Sequence, residues 1–143
     1  MTDSIIIMAA GASSRMKKPT VNNYLSKDII KSANSKSKVL IEFGSESKPF
    51  LSYSILKIIE AGFKNIYIVS SEDASYFRNN FKDVLKIDLS NCSVNFSIQY
   101  LPINSIKPLG TADAIYQTME QFPVLKNQSF CVCNGDNLYS VKS

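Results

Sequence analysis

Arg15, Lys38 and Asp136 are the residues of this chain whose types and settings could do chemistry. Arg15 closes the stretch Ile5-Ile6-Ile7-Met8-Ala9-Ala10-Gly11-Ala12-Ser13-Ser14-Arg15, in which an apolar run gives way to small side chains and ends on a guanidinium. A turn that small lets backbone N–H groups approach an anion closely, and the arginine adds a planar fork for phosphate oxygens. The turn holds one glycine where the dinucleotide fingerprint needs three, so taken alone it also reads as a tight packing turn. Asp136 follows another apolar stretch, in Asn134-Gly135-Asp136-Asn137, and the chain contains no histidine. A carboxylate so placed suits a hard divalent ion, and Mg²⁺ characteristically combines one or two carboxylates with substrate phosphates. Asp113, in Gly110-Thr111-Ala112-Asp113, fits a helix N-terminal carboxylate better than a metal ligand.

These residues need a frame. Ser4 to Ala9 lacks alternation and predicts a strand buried on both faces. Lys38 to Gly44 reads as a short extended segment ending in a turn. Pro49 then opens a helix with Leu51, Ile55, Leu56, Ile58 and Ile59 at helical spacing, stopped by Gly62. Ile66 to Val69 predicts a second central strand, and Ser70 and Ser71 a cap for a helix from Asp73 to about Leu85. Val94 to Tyr100 alternates apolar and polar residues, as an edge strand does. A helix opens at Gly110 and stops at Pro123, and Ser129 to Cys133 is the fourth parallel strand. The expectation is an α/β fold, a Rossmann-like three-layer sandwich with a mostly parallel central sheet of strand order 3-2-1-4. Ligands in such sheets bind beyond the strands' carboxyl ends, where the order reverses. The turn after strand one and Asp136 after strand four then face one crevice.

A chain of 143 residues fits a single domain, and 45% hydrophobic with 20% charged residues is ordinary for a globular protein. No apolar run approaches the roughly 20 residues needed to cross a bilayer, and no signal peptide is legible, so a cytoplasmic setting is expected. Cys92, Cys131 and Cys133 read as reduced packing residues, because no histidine exists to complete a metal site with them. The net charge of +4 is concentrated between Arg15 and Lys48, where eight basic residues meet three acidic ones. Few aromatics interleave with these lysines, which argues against nucleic acid and for a small phosphorylated partner. Residues 16–37 are rich in Lys, Ser and Asn and read as a basic flexible loop, either a lid or a solvated insertion.

Four stretches taken in order resemble the signatures of the sugar-1-phosphate type of nucleotidyltransferase. They are Met8-Ala9-Ala10-Gly11-Ala12-Ser13-Ser14-Arg15-Met16, Ser37-Lys38-Val39-Leu40-Ile41, Lys107-Pro108-Leu109-Gly110-Thr111-Ala112-Asp113-Ala114 and Asn134-Gly135-Asp136-Asn137-Leu138-Tyr139. The resemblance implies transfer of a nucleotidyl group from a nucleoside triphosphate (NTP) to a phosphorylated acceptor, a sugar 1-phosphate above all, with Mg²⁺ as cofactor and release of pyrophosphate. It assigns catalytic roles to Arg15 and Lys38. Nucleotide binding falls to Ala9, Ala10, Gly11, Ala12, Ser13, Ser14, Gly110, Thr111 and Asp136, and the metal to Asp136. Ala10 and Ser13 stand where the sugar-type loop has glycine, and Ser37 where a proline usually precedes the lysine. These departures leave open the base, and with it a cytidylyltransferase acting on a choline or alcohol phosphate, or a non-catalytic nucleotide-binding module. Members of the family continue well past the metal aspartate, so the chain is expected to be the nucleotide-binding portion of a larger enzyme. The resemblance leaves self-association open and calls for no membrane partner.

Overall fold

Three consecutive isoleucines build the centre of the sheet. The computed structural model describes residues 2–10 and 38–139; Gly11 to Arg15 and the 16–37 insertion lie outside them. Strand β1 is Ser4–Met8. Ile5 and Ile7 enter the apolar core on one side of the sheet and Ile6 the core on the other, which is why no polar residue interrupts the run. Fully burying each such side chain contributes roughly 1.5–3 kcal/mol.

The remaining elements are β2 (Glu42–Phe43), β3 (Lys48–Pro49), α1 (Phe50–Glu60), β4 (Asn65–Ser71), α2 (Ser75–Asn79), α3 (Phe81–Leu85), β5 (Ser93–Gln99), α4 (Thr111–Gln121) and β6 (Cys131–Asn134). One sheet has the order β5-β4-β1-β6 with every neighbouring pair parallel, which is the expected order 3-2-1-4. Leu51, Ile55 and Ile58 of α1, Phe77 of α2 and Leu85 of α3 pack with Ile5, Ile7, Ile66 and Ile68. Ala114 of α4 and Leu125 pack with Ile6, Tyr67 and Val69 on the opposite face. The molecule is thus an α/β three-layer sandwich. Among the described residues no helix is long and apolar enough to cross a membrane.

Helix α1 ends as its glycine requires. Gly62, at φ +97°, donates its N–H to Ile59 O and Phe63 donates to Ile58 O, the paired closure of a left-handed helix terminus.

Three local expectations are corrected. Lys38–Leu40 is a turn of 3₁₀ helix, because no strand among the described residues lies beside it to pair; within the expected segment Glu42–Phe43 pairs, with Lys48–Pro49. The helix expected from Asp73 to Leu85 is two short ones. The Asn80 side chain donates to Tyr76 O, closing α2, while the Asn80 carbonyl accepts from Val84 N–H to start α3. Ser70 and Ser71 cap neither helix. They complete β4, and Arg78 donates to Ser70 Oγ and Ser71 O at 3.1 and 2.6 Å, so the guanidinium secures the strand's end.

Strand β5 is the edge strand expected, yet its polar face is not left to water. Ser97 and Gln99 are buried beneath α4, with Thr118 Oγ1 2.8 Å from Ser97 Oγ. The outer edge of the strand is occupied as well. Gln121 accepts from Ile98 N–H at 2.9 Å and donates to Ile98 O at 2.8 Å; Gln117 accepts from Tyr100 N–H at 2.8 Å and donates to Tyr100 O at 3.1 Å. Outward-facing peptide groups recur about every 6.7 Å along a strand, and residues four apart on a helix are separated by about 6 Å, so two glutamine amides one turn apart satisfy two successive edge positions. Replacing Gln121 by alanine is expected to leave the Ile98 amide exchanging with deuterium at least ~10-fold faster, since the lost bonds are each worth about 1 kcal/mol. Unchanged protection at Ile98 would show that the clamp is dispensable.

The cysteines are free, and Cys131 and Cys133 pack against the core shared with α1. Burial, with the neighbouring Cys131 adding to it, pushes the Cys133 thiol up to about 11, so it stays protonated at neutral pH.

Candidate functional site

All four strands of the sheet are parallel, so their carboxyl ends share one rim. The order reverses at β1, which is flanked by β4 on one side and β6 on the other. In register, Met8 lies beside Val69 and Asn134. The chain leaves β1 as a continuation of that pairing, because Ala9 N–H donates to Val69 O at 3.0 Å. Ala9 packs toward one core and Ala10 toward the other, so the backbone crosses the rim between the two helical layers.

The turn after β6 is held against the same point. Gly135 N–H donates to Met8 O at 3.0 Å. A Cβ on Gly135 would lie 3.0 Å from Met8 O, 3.1 Å from Val39 Cγ1 and 3.3 Å from Ile7 Cγ2. The glycine is therefore needed for close approach, and its neighbours identify what approaches: the end of β1 and the 3₁₀ turn that carries Lys38. Val39 is buried, which anchors that turn. The backbone at Lys38 is thus brought to the turn that carries Asp136; the Lys38 side chain lies outside the description. Asp136 itself is exposed. Its turn is tied down on both sides, with Ser54 Oγ of α1 donating to Asn137 O at 3.2 Å and Tyr139 Oη accepting from Asn134 N–H at 3.2 Å and Asn137 Nδ2 at 3.3 Å.

Gly110 and Thr111 stand on the same rim at the other side of β1. Gly110 precedes α4 at φ +114° and ψ −167°, a backbone region essentially reserved for glycine. Its carbonyl accepts from Ala114 N–H at 3.1 Å, the first helical bond, and from Gln99 Nε2 at 3.1 Å. Gln99 ends β5, two strands from β1, whereas Asp136 follows β6, one strand from β1. Strands about 4.8 Å apart then separate the two ends of the rim by roughly 14 Å. That is the reach of an extended molecule with several recognisable parts.

Asp113 occupies the first turn of α4, as a helix N-terminal carboxylate should, and its Oδ2 accepts from Gln99 Nε2 at 3.0 Å and Gln117 Nε2 at 2.9 Å. Neither Gln99 nor Gln117 was legible beforehand, since alternation put Gln99 on the polar side of an edge strand and nothing connects it to a glycine eleven residues on. Among the described residues no three His, Cys, Asp or Glu gather into a metal cluster. An exposed carboxylate at the carboxyl-end rim does fit Mg²⁺, whose remaining ligands come from water and substrate phosphates.

No curated protein matches the sequence. Solved structures do. A UDP-glucose pyrophosphorylase from Acinetobacter baumanii superposes with a TM-score of 0.67 at 18% identity, over 96% of this chain and 47% of that one. A UDP-glucose pyrophosphorylase complexed with UDP-glucose gives a TM-score of 0.63 at 17% identity, covering 95% of this chain and 46% of the other. HddC from Yersinia pseudotuberculosis, complexed with GMP-PN, gives 0.54 at 25% identity, over 94% of this chain and 48% of that one. The first two establish likeness of fold, and the chain spans about half the length of each. The profile of the nucleotidyl transferase family matches residues 5–142, nearly the whole chain, and the chain belongs to that family.

Proposed function

We propose that this chain binds a nucleoside triphosphate and contributes to transfer of its nucleotidyl group to a phosphorylated acceptor, a sugar 1-phosphate, with release of pyrophosphate. The observation that carries the reading is the junction of Met8 with Gly135, which joins the small-residue turn after β1 to the turn that bears Asp136. The two solved neighbours complexed with UDP-glucose and with GMP-PN support a nucleotide ligand.

In the proposed reaction an acceptor phosphate oxygen forms a bond to the α-phosphorus, the bond from that phosphorus to the bridging oxygen breaks, and its electron pair departs with pyrophosphate. The acceptor oxygen is already anionic, so no general base is required. Positioning and charge neutralisation then carry the catalysis. In this reading Ala9 through Ser14 bind the triphosphate, Arg15 steadies the departing pyrophosphate, and Lys38 neutralises phosphate charge. Asp136 would hold Mg²⁺, which would supply Lewis-acid stabilisation of phosphate oxygens. Gly110 and Thr111 meet the base. The carboxylate of Asp113 in the first turn of α4 disfavours a phosphate there, which supports a neutral group at that end of the rim. A cytoplasmic setting, where nucleoside triphosphates and reduced thiols coexist, accords with the three free cysteines.

The test is a thermal-shift series with each of the four NTPs in the presence of Mg²⁺. A ligand at 100 times its Kd adds about 2.7 kcal/mol to stability, enough to raise the Tm by several degrees in a domain of this size. One NTP is expected to do so selectively; a flat response to all four would overturn the reading.

A further inference from the structure

We infer that Asp113 is a positioning residue that fixes the carbonyl of Gly110 through the buried amide of Gln99, and so sets how the rim meets the base of a nucleotide. The inference rests on the nucleotide reading above. Gln99 is 6% exposed, and its Nε2 spends both hydrogens inside the fold, on Gly110 O at 3.1 Å and Asp113 Oδ2 at 3.0 Å. An amide can be turned either way about its last torsion, presenting oxygen or nitrogen. A carboxylate only accepts, and its full charge makes it the stronger of the two acceptors facing this amide, so the nitrogen must face Asp113. The second hydrogen of that nitrogen then reaches Gly110 O, where an oxygen would be repelled.

The same carboxylate oxygen orients a second amide. Gln117 Nε2 donates to Asp113 Oδ2 at 2.9 Å and to Tyr100 O at 3.1 Å, while its oxygen accepts from Tyr100 N–H. One carboxylate therefore anchors both ends of the loop between Tyr100 and Gly110. Gly110 is free to take many conformations and is held in one, at φ +114°. In a trans peptide the N–H of Thr111 points opposite to the Gly110 carbonyl. Fixing that carbonyl toward Gln99 fixes the amide beyond it toward the rim, where a base carbonyl or ring nitrogen would accept it.

The experiment compares, by calorimetry on the whole chain, the Kd of the preferred NTP with that of inorganic tripolyphosphate, both with Mg²⁺. Asp113→Leu removes the acceptor and is expected to weaken NTP binding about tenfold while leaving tripolyphosphate unchanged, because the phosphates bind at the other end of the rim. Asp113→Asn keeps an oxygen that can accept from both amides and is expected to restore NTP affinity to within about threefold. Gln99→Met, which keeps volume and removes the amide, is expected to reproduce the selective loss and serves should the leucine variant not fold. If Asp113 acts only on the helix dipole, both Asp113 variants lose stability and neither changes the ratio of the two dissociation constants, which would overturn the inference. If the unaltered chain binds tripolyphosphate but gains nothing from the nucleoside, the nucleotide reading falls and the inference falls with it.

Discussion

Asp136→Asn is expected to abolish the Mg²⁺ dependence of triphosphate binding and to weaken binding of the Mg²⁺ complex by roughly 100-fold, as loss of a direct carboxylate ligand worth a few kcal/mol requires. Asparagine keeps the shape of the side chain and offers a weaker, neutral oxygen. Asp136 is exposed on a turn whose backbone is held by Ser54 and Tyr139, so the fold should persist, with a Tm change of no more than a degree or two. Titration of the NTP at fixed low and high Mg²⁺ checks the effect. If affinity rises with Mg²⁺ as steeply in the variant as in the parent chain, the metal is held by another group.

Gly135→Val should act on the fold and the site together. The added Cβ would stand 3.0 Å from Met8 O, a backbone atom at the end of the sheet's central strand, and 3.1 Å from the buried Val39. Overpacking of this kind costs about 1–3 kcal/mol, and more where backbone must move. A drop in Tm of about 5–10 °C follows for a domain of this size. The relief available is to lift the turn off β1, which breaks the bond from Gly135 N–H to Met8 O and carries Asp136 away from Ala9 and Ala10. Loss of NTP affinity is therefore expected at temperatures where the variant is still folded. A variant with the parent's Tm would mean that the close approach at Gly135 is not needed.

Much of this arrangement was legible in the residues themselves. The unbroken Ile5-Ile6-Ile7 run fixed a strand covered on both faces, and the alternation of strand and helix signals led to the observed strand order and hence to the rim at which the end of β1 and the turn bearing Asp136 are joined. The glycine of the last motif was legible as part of a pattern; that its missing side chain is demanded by Met8 O was not, because that contact joins residues more than a hundred positions apart. The break at Asn80 escaped for a related reason: helical spacing of Phe77, Phe81, Val84 and Leu85 continues through it, and a side chain donating to Tyr76 O leaves the period intact. Gln99 was read by its polarity, and polarity could not reveal that α4 covers that face and supplies Asp113 as partner. Pattern discloses what a residue avoids or seeks in general. Which particular atom it finds is a matter of tertiary placement.

The amides of Gln117 and Gln121 give the sheet a direction. By filling the peptide groups of Ile98 and Tyr100 they close the β5 side to any incoming strand, whereas no strand among the described residues pairs with the far side of β6. Edge strands are where one sheet recruits another chain. Among the described residues the β6 side, past Val132, which is 40% exposed, is therefore the more open edge for a further strand. A strand added there would lie beside the turn bearing Asp136, and the side chains at its end would stand on the same rim.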